Sequence, residues 1–255
     1  ADTARGRIRH QNAAVDSEDW WSIDISEYGT LEVYWEVTNT SDATAYYALS
    51  PSVDGSLSGA NTYPMSIPAG ATMSQTYTFP CMHTADNWLR VWGNDGCGDY
   101  KLTYRVVNAP FTPTEVEPNN TYTAANLLPP GTTVQGHINY QSLNLISSLD
   151  PEDFYRIEVT EHGAIVGLLS ATNTSPDPGS VSILMYWGNG SPIWTYDATV
   201  GMDGNSQGST PFEFECLAPG TYYIQVTGTA CATYSLGWSI AGSPTPNTEV
   251  EPNDA

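Results

Sequence analysis

The chain has 255 residues, with Asp+Glu 28 against Lys+Arg 7 and a formal net charge of −21. This balance excludes nucleic acid as a partner, because that affinity rests on Lys and Arg neutralising phosphates, and an anionic membrane surface would repel the chain. No run of 18 or more apolar residues occurs, so no helix spanning a membrane is predicted.

Taken from the N-terminus, the predicted elements are short strands. Arg5, Arg7 and Arg9 alternate on one face of the first. Leu31–Val37 and Asn87–Trp92 alternate apolar and polar residues, and Gly220–Val226 follows a Pro-Gly turn. Turn signals fall at Asp54-Gly55, Asn94–Gly98 and Gly188–Gly190. No stretch carries a helical apolar period, and Thr121–Leu128 is expected to form a short turn at most. Many short, regularly punctuated strands predict an all-β fold of antiparallel, jelly-roll-like sandwiches.

The sequence repeats itself. Asp16-Ser-Glu-Asp19-Trp-Trp matches Asp150-Pro-Glu-Asp153-Phe-Tyr, 134 residues on. Cys97-Gly-Asp-Tyr100-Lys-Leu matches Cys231-Ala-Thr-Tyr234-Ser-Leu, and Glu115-Val-Glu117-Pro-Asn-Asn120 matches Glu249-Val-Glu251-Pro-Asn-Asp254, both at the same spacing of 134. Cys81 and Cys216 differ by 135. Two tandem sandwiches are therefore expected: residues 1–110, a proline linker over 111–114, a second domain over 115–242, and a tail over 243–255.

The four cysteines fall two per repeat, and the parsimonious pairing is Cys81 with Cys97 and Cys216 with Cys231. A zinc site would need CxxC-like spacing or nearby His, and neither is present. Disulfides imply an oxidising compartment. A chain beginning at Ala1 rather than Met fits a mature, secreted form.

The Glu-Val-Glu-Pro-Asn-Asn/Asp segments, followed by Asp-x-x-Asp and two aromatics, resemble the bacterial pre-peptidase C-terminal domain family. The collagen-binding domains of clostridial collagenases are similar to that family. The closing run Ala218-Pro-Gly-Thr-Tyr-Tyr-Ile-Gln-Val and Tyr234-Ser-Leu also fits it. The resemblance implies a calcium site in the second domain built from Glu115, Glu117, Asn119, Asn120, Asp150 and Asp153. Independently, calcium takes about 6 to 8 hard oxygens, mixing carboxylates with amide or backbone carbonyls, and these residues supply that mixture.

The first repeat has Asp16 and Asp19 without a leading acidic segment. The tail has Glu249, Glu251, Asn253 and Asp254 without a following domain. One molecule's tail is therefore expected to complete the first domain of the next, a head-to-tail contact that builds filaments.

Tyr186, Trp187, Trp194 and Tyr196 surround the Gly188–Gly190 turn, either as core or interface aromatics or as a ledge for an extracellular polymer, protein or polysaccharide. Asn39-Thr-Ser and Asn173-Thr-Ser match the glycosylation pattern. HExxH, GxSxG and P-loop motifs are all missing, so catalysis is not expected. The sequence thus predicts a secreted, calcium-binding structural or adhesive protein. The alternative is a non-catalytic substrate-binding appendage of a secreted peptidase or other hydrolase.

Overall fold

The fold is that of a computed structural model describing residues 2–8, 17–25, 29–53, 62–82, 86–94, 96–108, 114–140, 150–193 and 198–241. The chain divides into two compact units, residues 1–111 with 140–149 and residues 112–139 with 150–255.

In the first unit, β1 (Asp2–Ile8), β8 (Gly98–Asn108), β3 (Gly29–Asn39) and β6 (Thr72–Met82) form one antiparallel sheet in the order β1-β8-β3-β6. The second sheet orders β2 (Glu18–Asp24), β7 (Asp86–Asn94), β4 (Ala45–Val53) and β5 (Tyr63–Ile67) as β2-β7-β4-β5. Strand β3 shows why the sandwich forms: its residues alternate buried and half-buried along the whole strand, placing Leu31, Val33, Trp35 and Val37 in the core. Across from them the second sheet contributes Ile23, Tyr47, Leu49, Leu89 and Val91.

The second unit repeats this order. Strands β10 (Thr133–Ile138), β17 (Ala232–Ala241), β12 (Gly163–Asn173) and β15 (Gln207–Leu217) make one sheet. Strands β14 (Ala198–Met202), β13 (Gly179–Trp187), β16 (Gly220–Gly228) and β11 (Glu152–Val159) make the other, extended by the two-residue β9 (Asn126–Leu127) running parallel to β11. A 3-10 turn over Tyr122–Ala124 precedes β9, within the stretch Thr121–Leu128 expected to form a short turn at most.

The expected disulfides are corrected. Cys81 and Cys231 are disulfide-bonded, whereas Cys97 and Cys216 are free thiols. The reason lies in register. Met82, next to Cys81, pairs with Gly29 at one end of β3, while Gly98, next to Cys97, pairs with Asn39 at the other end. Ten residues of strand, about 33 Å, lie between them, against a Cα separation of about 7 Å at most for a disulfide. The second unit repeats the arrangement, with Leu217 opposite Gly163 and Ala232 opposite Asn173. The two cysteines of a repeat sit at opposite ends of their sandwich.

The glycosylation pattern is also structural. Asn39 and Asn173 are fully buried. Asn39 Nδ2 donates to the carbonyls of Ala43 and Ile67, each at 2.8 Å, and Asn173 Nδ2 donates to those of Asp177 at 2.7 Å and Asp203 at 3.2 Å. Each asparagine therefore fixes a turn from inside the fold, where a glycan has no room.

Candidate metal centre

The lead segment of the second unit is pinned along the free edge of β10. Thr114 N–H donates to the Gln135 carbonyl at 2.8 Å, and Gln135 N–H returns a bond to Thr114 Oγ1 at 2.9 Å. Asn126 then clasps Val116 from both sides, accepting its N–H at 2.9 Å and donating to its carbonyl at 2.8 Å. Val116 points outward and is 71% exposed. Extended backbone alternates its side chains, so Glu115 and Glu117 turn toward the protein together.

The Glu115 side chain is fully enclosed. Its Oε1 accepts the His137 N–H at 2.9 Å and meets His137 Nδ1, and its Oε2 accepts the Tyr155 hydroxyl at 2.8 Å and lies 3.1 Å from that of Tyr234. Gly136 makes the space, since a Cβ there would lie 2.2 Å from Glu115 Oε2 and 2.3 Å from Tyr234 Oη. Tyr234 hydroxyl also donates to Asp153 Oδ2 at 2.5 Å and lies 2.6 Å from that of Tyr155. The two tyrosines therefore bridge the carboxylate of the lead segment to that of β11.

Glu117, Asp150 and Asp153 form the open side of the cluster. Each offers an oxygen, and these atoms lie within 4.8 Å of one another; Glu115, Glu117 and His137 form an adjoining group of the same tightness. Beyond the cis Glu117–Pro118 peptide, the Asn119 N–H donates to Glu117 Oε2 at 3.1 Å and the Asn119 carbonyl accepts the Phe154 N–H at 2.9 Å. These bonds fasten the segment to the start of β11. Asp150 and Asp153, three residues apart, flank that start.

The electrostatics of the cluster are those of carboxylates crowded together, with His137 as the one basic group facing them in the described residues. Burial raises the Asp150 carboxyl to about 8, reinforced by the charges of Glu117 and Glu115. Burial and the charges of Glu115 and Asp150 push Asp153 well above the usual carboxylate range, and burial with Glu115 raises Glu117. Burial likewise raises the Tyr155 and Tyr234 hydroxyls, so both stay protonated as donors.

The donor set fits calcium. Asp153 Oδ1, Asn119 Oδ1 and Asn120 Oδ1 are buried without a hydrogen-bond partner. Buried polar atoms are ordinarily satisfied, and an orphaned group of hard oxygens around converging carboxylates is what a calcium ion would satisfy. Sulfur ligands are missing from the group and its one imidazole is engaged by Glu115, which suits a hard cation better than zinc.

Of the residues predicted from sequence, the structure brings Glu117, Asp150 and Asp153 together and sets Glu115 beside Glu117 on the tyrosine and histidine side, while Asn119 and Asn120 follow Glu117 on the same segment. Asp19, in β2, accepts the Tyr100 hydroxyl at 2.6 Å. Asp16, Glu249, Glu251, Asn253 and Asp254 lie outside the described residues, as do Trp194 and Tyr196. Trp187 is 45% exposed and leans on Tyr222, whereas Tyr186 is half-buried and donates to Gln225 Oε1 at 2.7 Å.

Sequence reasoning gave no role to Gly136, His137, Tyr155 or Tyr234. Tyr155 and Tyr234 stand inside the repeated motifs themselves, which was the available signal.

The chain matches no protein family and no curated protein. Among solved structures it is similar to the pre-peptidase C-terminal domain of collagenase from Bacillus anthracis, at 23% identity over 45% of this chain and 94% of that one, with a TM-score of 0.29. It is also similar to the CBM22-1–CBM22-2 tandem domain of Paenibacillus barcinonensis Xyn10C, at 9% identity over 94% of this chain and 91% of that one, with a TM-score of 0.31.

Proposed function

We propose that this is an extracellular, calcium-binding structural or adhesive protein of the pre-peptidase C-terminal domain type. Its second sandwich would hold the ion through Glu117, Asp150 and Asp153, with amide oxygens of Asn119 and Asn120. The observation that carries the reading is the convergence of carboxylates from two separate segments, the exposed Glu117 and the buried Asp150 and Asp153, with unpartnered oxygens on the same segments.

Calcium there would cancel charge that otherwise repels, and would tie the lead segment to β11. Glu115 would act as the latch beneath it, held by Tyr155, Tyr234 and His137. The outcome is a stiffened connection into the second sandwich, which is a mechanical rather than a chemical role. Disulfide-bonded Cys81 and Cys231 suit an oxidising, extracellular setting. Self-association head to tail, through the acidic tail of one copy and the first unit of another, is the assembly this reading favours.

Isothermal titration of chelator-stripped protein with calcium tests the proposal. Saturable binding that is lost in Asp150→Asn and Asp153→Asn supports it, and heats no larger than dilution would reject it. A second reading, a binding appendage for collagen or polysaccharide, draws on one observation, the exposed Trp187 ring tilted against Tyr222. Binding to either polymer that Trp187→Ala abolishes would favour it.

A further inference from the structure

The first unit repeats the geometry of the pocket that holds Glu115 in the second. Gly6 of β1 pairs with Tyr100 of β8, just as Gly136 of β10 pairs with Tyr234 of β17. A Cβ at Gly6 would lie 2.2 Å from Tyr100 Oη, the same clash that Gly136 avoids with Tyr234. Tyr100 donates to Asp19 Oδ2 at 2.6 Å, as Tyr234 donates to Asp153. Trp21 stands where Tyr155 stands, and its Nε1–H reaches Tyr100 Oη at 2.7 Å. The geometry that receives a glutamate is thus present twice.

The glutamate itself is described only once. Gly136 is buried and Asp153 and Tyr155 are fully enclosed under the lead segment, whereas Gly6, Asp19 and Trp21 are only half-buried. Strand β1 is an edge strand of its sheet, and edge strands present backbone groups able to take another segment. In the second unit those groups are the Gln135 carbonyl and the His137 N–H, which bond Thr114 and Glu115. By register, Arg5 and Arg7 offer the same groups on β1.

The side chains differ in a telling way. Where β10 carries Gln135 and His137 beside the slot, β1 carries Arg5 and Arg7, both exposed. Arg7 pairs with Asp99 at 2.6 Å, and among the described residues Arg5 forms no ion pair. A covalently attached lead segment is held at high effective concentration and needs little help from charge, whereas a separate peptide gains from basic residues at the rim.

We propose that the slot formed by Gly6, Asp19, Trp21 and Tyr100 is a docking site for an acidic Glu-x-Glu-Pro-Asn segment. Its occupant is the Glu249–Asp254 stretch of a second copy of this chain. Glu249 takes the place that Glu115 takes in the second unit, accepting the Arg7 backbone N–H beside Tyr100, and Glu251 falls toward Asp19 as Glu117 falls toward Asp153. The role of calcium at this contact rests on the function proposed above; the slot itself does not.

The test is complementation between two variants of the 255-residue chain. Glu249→Gln with Glu251→Gln removes the plug and leaves the slot; Gly6→Val fills the slot and leaves the plug. In sedimentation velocity with calcium, wild type forms species above monomer and each variant alone loses them, while an equimolar mixture forms dimers and nothing larger. Folding of Gly6→Val is checked by circular dichroism. If it is unfolded, the slot is tested instead by a synthetic Thr248–Ala255 peptide, which quenches or shifts Trp21 fluorescence in the plug-free variant and competes with assembly of wild type. Assembly of folded Gly6→Val equal to wild type, or a peptide that neither binds nor competes, overturns the proposal. Calcium binding to the second unit, read by titration of the plug-free variant, stands or falls separately.

Discussion

Replacing Asp153 by Asn should act with opposite signs in the absence and presence of calcium. The asparagine keeps the shape and still accepts the Tyr234 hydroxyl through its amide oxygen, but it removes one negative charge from a buried group that also holds Glu115, Glu117 and Asp150. The size of the effect follows from Asp150, whose carboxyl is pushed from 3.8 to about 8 by burial first and by its acidic neighbours second. At about 1.4 kcal/mol per pKa unit, forcing that one group to ionise costs on the order of 5 kcal/mol at pH above its folded value. Asp153 is itself raised by burial and by the charges of Glu115 and Asp150, so removing its carboxylate relieves a cost of the same kind, about 1–2 kcal/mol, which in a domain of this size is a rise of roughly 3–8 °C in Tm. Calcium at about 100 times its dissociation constant stabilises wild type by about 2.7 kcal/mol, a rise of roughly 10 °C, and this increment should vanish in the variant. Scanning calorimetry of both proteins in chelator and in excess calcium, at about pH 8, reads all four values. An Asp153→Asn protein that melts lower than wild type in chelator, or that still gains the full calcium increment, would refute the reasoning.

Further outcomes follow from the same geometry. Because the folded-state values of Asp150 and Asp153 lie above their unfolded ones, the native state holds more protons; calcium-free protein should be most stable below about pH 4 and lose stability as pH rises toward about 8, a trend that Tm in chelator will show and excess calcium will suppress. Tyr234→Phe strips the hydroxyl that donates to Asp153 and sits beside Glu115 and should cost about 1–3 kcal/mol in urea unfolding, with the calcium increment reduced as well. Gly136→Ala drives a methyl into Glu115 Oε2 and should release the lead segment, seen as faster proteolysis near Val116. Thiol titration of native protein should find two reactive groups, the exposed Cys216 faster than the half-buried Cys97; a count of zero would contradict the arrangement of the cysteines.

Much of the fold could be read from residue order alone. Leu31–Val37, Asn87–Trp92 and Gly220–Val226 fall within β3, β7 and β16, because period-two alternation is imposed by burying one face of a sheet. The constant spacing of the repeat likewise shows in the matching strand orders of the two units. The disulfide pairing was not legible, since closeness in sequence hides the fact that Cys81 and Cys97 lie at opposite ends of the same eleven-residue strand partner. Asn39 and Asn173 look like surface acceptors in sequence and are buried turn anchors in the fold, a role that depends on carbonyls up to 30 residues away. Within the site, the acidic residues declare themselves by charge and spacing. Their supports do not: the Glu115 latch needs Gly136, His137, Tyr155 and Tyr234, drawn from three strands whose approach only tertiary structure creates.

The central claim is that an ion sits among Glu117, Asp150 and Asp153. Anomalous diffraction from crystals grown with calcium measures this directly. The account predicts a peak about 2.3–2.6 Å from oxygens of all three carboxylates, with amide oxygens of Asn119 or Asn120 completing the shell. A map with no peak there, and those carboxylates hydrogen-bonded only to water, would contradict it.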